Sequence, residues 1–210
     1  MHSAPSEDSG MPPATSRLAR AVVAIAKADW PALAKAAAEA RERGDDRARL
    51  DEALLQATLF FGFPRVVSAF EHVGAAWPRH DAAQGASIPH EQRAAQGRDL
   101  FAAIYGKNDG AVRDKLRGFH PEFHDFVIED AYGRILSRPG LDVTTRELLA
   151  VAALAALEQI PQLVAHARGA MQFGASRDAT RAAMRHGGLD DRRADEALQR
   201  AVAGIARSGA

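Results

Sequence analysis

Two ionisable side chains lie inside otherwise apolar helical sequence and mark where chemistry is possible: Glu147 in TTRELLAVAALAAL and His166 in QLVAHARGA. An imidazole exchanges its proton near neutral pH, so a histidine in a helix is a candidate general acid or proton relay. His166 stands among Ala165, Ala167 and Ala170. The alternative is a core histidine bonded to a backbone carbonyl. Asp142 or Thr144 can cap the helix, and Glu147 follows Thr144 by three residues, the spacing of a capping box, which would explain it without any active site. Burial would raise its pKa and a helix N-terminus would lower it. Glu129 and Tyr132 are three apart on one helical face ahead of Gly133. Arg168 and Arg138 can grip a carboxylate through paired N–H bonds or can form surface ion pairs.

Other chemistries find little support. His120 and His124 have the i, i+4 spacing of a metal chelate, but Pro121 abuts the first and no third ligand has a recognisable spacing. No metal is therefore expected. The glycines form no phosphate-cradling motif and no serine sits in a nucleophile elbow, so no organic cofactor is expected either. The chain has no cysteine, which excludes thiol and disulfide chemistry outright. Twenty-seven basic residues balance twenty-seven acidic ones, leaving no global field that would favour nucleic acid or an anionic membrane. The N-terminus lacks the basic-then-apolar order of a signal peptide, and a cytoplasmic location is expected.

The elements that must position these residues are helical. Alanine runs with few β-branched residues argue for an all-α fold, and the 47% hydrophobic content can furnish a core. Leu148 to Leu157 is apolar on every side and belongs inside, being too short to cross a membrane. Pro161 ends that helix and opens another, which runs through Gln162, His166 and Arg168 to a stop at Gly174. If the two pack antiparallel about Pro161, Glu147 and His166 are offset by about 7 Å along the axes, so contact would need a helix crossing, a water or a ligand. Upstream, residues 1–13 are expected to be disordered, helices cover 14–76 with breaks at Asp29-Trp30-Pro31, Gly44 and Gly62-Phe63-Pro64, and 77–90 reads as a linker.

Displacing the sequence by 130 residues exposes an internal repeat without gaps. Asp29-Trp30-Pro31-Ala32-Leu33 falls on Gln159-Ile160-Pro161-Gln162-Leu163, Ala40 on Ala170, and Gly44 on Gly174. Glu147, however, falls on Arg17 and His166 on Ala36. The division that follows is a degenerate first repeat over 14–76 and a chemistry-bearing second repeat within 91–210.

Several segments carry a family resemblance: Ser137-Arg138-Pro139-Gly140-Leu141, Arg146-Glu147-Leu148-Leu149, Gln162-Leu163 with His166 and Arg168-Gly169-Ala170, then Gly174. Upstream, Ala131-Tyr132-Gly133 and Leu59-Phe60-Phe61-Gly62-Phe63-Pro64 add to it. In this order and spacing they resemble the carboxymuconolactone decarboxylase and alkylhydroperoxidase D-like group of small helical proteins. The resemblance implies two helical repeats packed as one bundle and assembled as a homo-oligomer, a trimer or a hexamer. It implies action on a small carboxylated lactone or related ring acid of aromatic breakdown. His166 would then be the acid or relay, Glu147 its partner and Glu129 a second acid, with Arg168, Gln162, Gln159 and Tyr132 meeting the substrate. Gln159 and Gln162 occupy the places where the peroxidase branch carries its redox cysteines, so that reaction is ruled out. The alternative is a ligand-binding or assembly protein of the same fold without catalysis.

Overall fold

A computed structural model describes residues 10–79 and 87–208, with side chains described as far as residue 205. Among the described residues the regular structure is helical and no strand occurs. The helices are α1 (Pro13–Lys27), α2 (Trp30–Glu42), α3 (Arg47–Ala76), α4 (His90–Tyr105), α5 (Asp109–Phe119), α6 (Pro121–Asp125), a π-helical stretch (Phe126–Leu136), α7 (Val143–Ala156), α8 (Ile160–Gln172), α9 (Arg177–His186) and α10 (Asp191–Ser208). Of the N-terminal segment expected to be disordered, residues 1–9 lie outside the described residues. Residues 10–13 are placed, and Met11 is buried in the core. Most of the expected linker, residues 80–86, also lies outside them.

The repeat is visible in the backbone. Helix starts at Pro13, Trp30 and Arg47 recur 130 residues later at Val143, Ile160 and Arg177. The left-handed residues recur too: Ala28 (φ 53) with Glu158 (φ 56), and Gly44 (φ 72) with Gly174 (φ 101). A non-glycine side chain in that region is strained by its Cβ, so its presence at both helix junctions reflects a shared turn geometry.

One apolar core runs through both copies, with Leu18, Val22, Leu33 and Leu54 joining Leu149, Val151, Leu163 and Met184. At its centre α7 is buried at every position from Thr145 to Ala155, as its all-round apolar sequence requires. Two bonds between the copies occupy matching positions. Ser16 Oγ meets His186 Nε2 at 3.1 Å, and Gln56 Nε2 donates to the Arg146 carbonyl at 2.8 Å.

A second cluster of Phe101, Ile104, Ile128, Tyr132 and Leu136 joins α4 to the π-helical stretch. Their backbones touch through two glycines. A Cβ on Gly97 would stand 1.9 Å from the Ile128 carbonyl oxygen, and one on Gly133 2.0 Å from that of Arg93. Helix α3 is two helical segments joined at a kink, as expected: the backbone leaves helical geometry at Gly62 (φ 74, ψ 162) before Pro64. By length and composition α3 could cross a membrane. Its first half is instead built into the core through Leu50, Ala53 and Leu54. Its Glu52 and Gln56 bond to groups of Arg138 and Arg146.

Candidate functional site

Glu147, on the second turn of α7, is 1% exposed, and the His166 side chain on α8 is 12% exposed. His166 Nδ1 lies 3.0 Å from Glu147 Oε2. The contact is direct, against the offset expected from a bend at Pro161. The turn is centred on Glu158, whose left-handed backbone reverses the chain. Glu147 lies eleven residues before it (158 − 147) and His166 eight after (166 − 158), so the offset is three residues, about 4.5 Å at 1.5 Å per residue. A glutamate side chain spans that.

Glu147 is also released from capping. The N-cap of α7 is Asp142, whose carboxylate accepts from Thr145 N at 2.8 Å, while Thr144 lies within the helix and donates its hydroxyl to the Phe173 carbonyl. The carboxylate instead nests against α8 at Gly169, where a Cβ would stand 2.5 Å from Oε2 and 3.3 Å from Ile104 Cγ2. Glycine at 169 is thus what lets a buried carboxylate reach the imidazole.

Burial acts to lower the His166 pKa, and it is the largest single influence. The charge of Glu147 and its hydrogen bond together outweigh it, and the imidazole ends above its usual 6.5. With Nδ1 facing the carboxylate, Nε2 has no hydrogen-bond partner among the described residues. The ring edge faces Phe60, whose centroid is 6.5 Å away at 75°. This is the arrangement of an oriented acid–base group: one nitrogen fixed by a carboxylate, the other available.

Two tyrosines complete the surroundings. Tyr132 OH donates to Tyr105 OH at 3.3 Å, and Phe101 stacks on Tyr105 with centroids 4.2 Å apart. Burial holds both phenols above the usual 10, and the nearby Glu147 charge adds to this in each. Both therefore remain protonated donors. Sequence reasoning placed Tyr132 at the site but did not single out Tyr105. The one available signal was that the chain has two tyrosines in all.

The other candidates are placed as follows. Arg168 is partly buried on α8; its Nη1 would stand 3.3 Å from a Cβ on Gly204 of α10, and its charge reaches Tyr105. It has no carboxylate partner among the described residues. Glu129 is partly buried on the π-helical stretch, and nothing brings it to the Glu147–His166 pair. Gln159 and Gln162 are exposed at the start of α8, and Gln159 donates to the Leu157 carbonyl at 3.3 Å. Arg138 is committed to a buried cluster: with Arg146 it binds Glu52, at 2.7 and 2.8 Å. His120 caps α6 through Glu122 N at 3.2 Å, and His124 lies 2.8 Å from Asp125 and 3.3 Å from Arg117, so the two do not converge as ligands.

Beside the site, Leu55, Thr58 and Leu59 of α3 face Phe126, Asp130 and Ile135 across a cleft of about 330 Å³. Leu59 also packs against the cluster that holds Tyr132.

Residues 121–203 match the model of the Carboxymuconolactone decarboxylase family. That segment holds Glu129, Tyr132, Glu147, His166 and Arg168, but neither Phe60 nor Tyr105. Over 89 residues the chain is 34% identical to the 4-carboxymuconolactone decarboxylase of Acinetobacter baylyi, covering 42% of this chain and 66% of the relative. Over 136 residues it is 26% identical to Peroxisomal protein 2 of Schizosaccharomyces pombe, covering 62% of each. The chain thus spans just under two thirds of the length of both relatives.

Proposed function

We propose, from the premise that this chain belongs to the carboxymuconolactone decarboxylase family, that the Glu147–His166 pair is the proton-transfer centre of a decarboxylase for a small carboxylated lactone or related ring acid. The observation that carries the reading is the 3.0 Å contact between His166 Nδ1 and a buried carboxylate, with Nε2 left available. The substrate carboxylate would be held by Arg168, whose guanidinium has no carboxylate partner among the described residues. The bond between ring carbon and carboxylate breaks, carbon dioxide leaves, and the electron pair is delocalised into the lactone carbonyl. Protonated His166 then delivers its Nε2 proton to the ring carbon, and the imidazole is reprotonated from solvent. Glu147 stabilises the imidazolium throughout. Tyr132 donates to Tyr105, which leaves the Tyr105 hydroxyl proton for the developing oxyanion. Glu129, Gln159 and Gln162 have no contact with the pair among the described residues, and a role for them, Glu129 as a second acid, would require the bound substrate to reach them. The test is carbon dioxide release from a carboxylated butenolide by the wild-type chain and His166→Ala. Wild-type turnover lost in the variant supports the reading, and equal turnover in both refutes it.

A second reading, a binding or assembly protein without catalysis, has one observation in its favour. Phe63, Val67 and Phe70 of α3, and Phe119, Phe123 and Phe126 around α6, are large apolar side chains left 40% exposed or more. Such a surface is what a homo-oligomer would cover. Saturable binding of the same lactone without any carbon dioxide release would favour this second reading.

A further inference from the structure

The repeat places a hollow in the first copy where the second carries His166. A groove of about 480 Å³ runs along α1 and α2 to the end of α9. Its lining includes Arg20, Val23, Lys27, Lys35 and Ala36. Displaced by 130 residues these become Ala150, Ala153, Leu157, Ala165 and His166. The opposite wall, Arg185, His186 and Gly188, maps in the same way onto Leu55, Gln56 and Thr58 of α3. Leu55 and Thr58 line the cleft between α3 and the π-helical stretch, where Leu59 packs against the cluster that holds Tyr132. The groove is thus the pseudo-symmetric counterpart of that region.

In this counterpart the acid–base pair is gone and positive charge has taken its place. Ala36 stands for the imidazole, and Arg17, in the place of Glu147, is paired with Asp45 at 2.6 Å. Four cations, Arg20, Lys27, Lys35 and Arg185, line the groove against two carboxylates, Asp29 and Glu39. Both carboxylates are engaged, Glu39 by Arg20 at 3.0 Å and Asp29 as the cap of α2, accepting from Ala32 N at 3.0 Å. Arg185 is paired with Asp191. Lys27 and Lys35 are exposed and have no hydrogen bond or ion pair among the described residues. His186 is held in the wall by Ser16 at 3.1 Å.

We propose that this groove binds a small, multiply charged oxyanion and does not transform it. Two mobile ammonium groups are strongly hydrated point charges that match separate anionic oxygens, so a ligand with at least two charges satisfies both and a monoanion satisfies one. Volume of this order suits a small organic molecule better than a bare ion. The imidazole–carboxylate pair of the second copy is missing, His186 is held by Ser16 and both carboxylates are engaged, so the groove is a site of binding alone. Polycarboxylates and phosphate esters share this chemistry.

The test is isothermal titration calorimetry on the full chain at low ionic strength, with citrate in one arm and pyrophosphate in the other. The expected result is saturable one-to-one binding of at least one probe, weakened about tenfold or more in Lys27→Ala/Lys35→Ala by loss of two charge-assisted contacts. Ala32→Trp, at an exposed lining position, should abolish binding with every charge intact, while His166→Ala should leave it unchanged. Thermal melts of the lysine and tryptophan variants should match wild type, since all three positions are exposed. The arm that binds identifies the ligand as carboxylate or phosphate. Failure of both probes overturns the proposal, as does undiminished binding to the lysine variant or loss of binding in His166→Ala.

Discussion

Changing Glu147 to Gln should reverse the sign of the pH dependence that His166 gives to stability. In the native protein the imidazole pKa is raised above 6.5, since burial, which lowers it, is outweighed by the Glu147 charge and hydrogen bond. A folded pKa above the unfolded one means that the folded state binds the proton more tightly. The pair's contribution is therefore complete below about 6.5 and is lost as pH rises through the folded pKa. At 3.0 Å the attraction is about 5 kcal/mol for an effective dielectric of 20, before desolvation costs of several kcal/mol per ion are subtracted. The surplus is thus small. Because the imidazole can shed its proton when its partner is removed, the variant should lose about 1–3 kcal/mol near pH 6. For a chain of this size that corresponds to a fall in Tm on the order of 5 °C. With the charge gone, burial acts alone and the His166 pKa should fall below 6.5, so stability should now drop as pH falls. Ring-proton NMR titration of His166 and melts from pH 5 to 8 measure both. A His166 pKa still above 6.5 in Glu147→Gln, or melts with an unchanged pH slope, would refute the reasoning.

Further outcomes follow from the same geometry. Gly169→Ala places a methyl 2.5 Å from Glu147 Oε2, the end of a flexible side chain. It should displace the carboxylate and cut turnover of a carboxylated butenolide while sparing the fold, as steady-state kinetics and melts would show. Gly97→Ala and Gly133→Ala put a Cβ about 2 Å from backbone carbonyls, which cannot step aside. Each should cost more than about 3 kcal/mol in urea unfolding. In Glu52, burial raises the carboxyl pKa most strongly of any single influence, yet bonds to Arg138 and Arg146 bring it below 4.5. Its contribution should be present above about 4.5 and disappear as pH falls through the lowered value. Glu52→Gln should lose about 3–5 kcal/mol at pH 7, because it leaves buried Arg146 uncompensated. Phe63→Ser/Phe70→Ser should lower the solution mass measured by light scattering if these exposed rings meet another copy.

Helices were the most legible part of the sequence. The apolar run after Glu147 could only be an interior helix, and the proline and glycine positions marked its neighbours. The 130-residue repeat was equally readable, because it reproduces not only helix starts but the strained junctions at Ala28 and Glu158. The reach between Glu147 and His166 was misjudged. Pro161 is the visible punctuation, whereas the reversal occurs at Glu158, a residue type that rarely adopts positive φ and gives no warning. Of the two possible caps, Asp142 and Thr144, it is Asp142 that caps α7, which leaves the Thr144–Glu147 capping box unformed. Tyr105 was invisible because it reaches the site from α4, through a helix crossing fixed by Gly97 and Gly133. The commitment of Arg138 and Arg146 to Glu52, 86 and 94 residues away in sequence, was hidden for the same reason: a long-range charge pair leaves no local pattern.

In the proposed reaction His166, charged and oriented by Glu147, delivers the proton that completes decarboxylation. The most direct measurement is the pH profile of kcat/KM for carbon dioxide release from a carboxylated butenolide, in wild type and Glu147→Gln. Wild-type activity should fall on an alkaline limb above pH 6.5, and this limb should move to lower pH in the variant. An alkaline limb at the same pH in both proteins would contradict that role of His166.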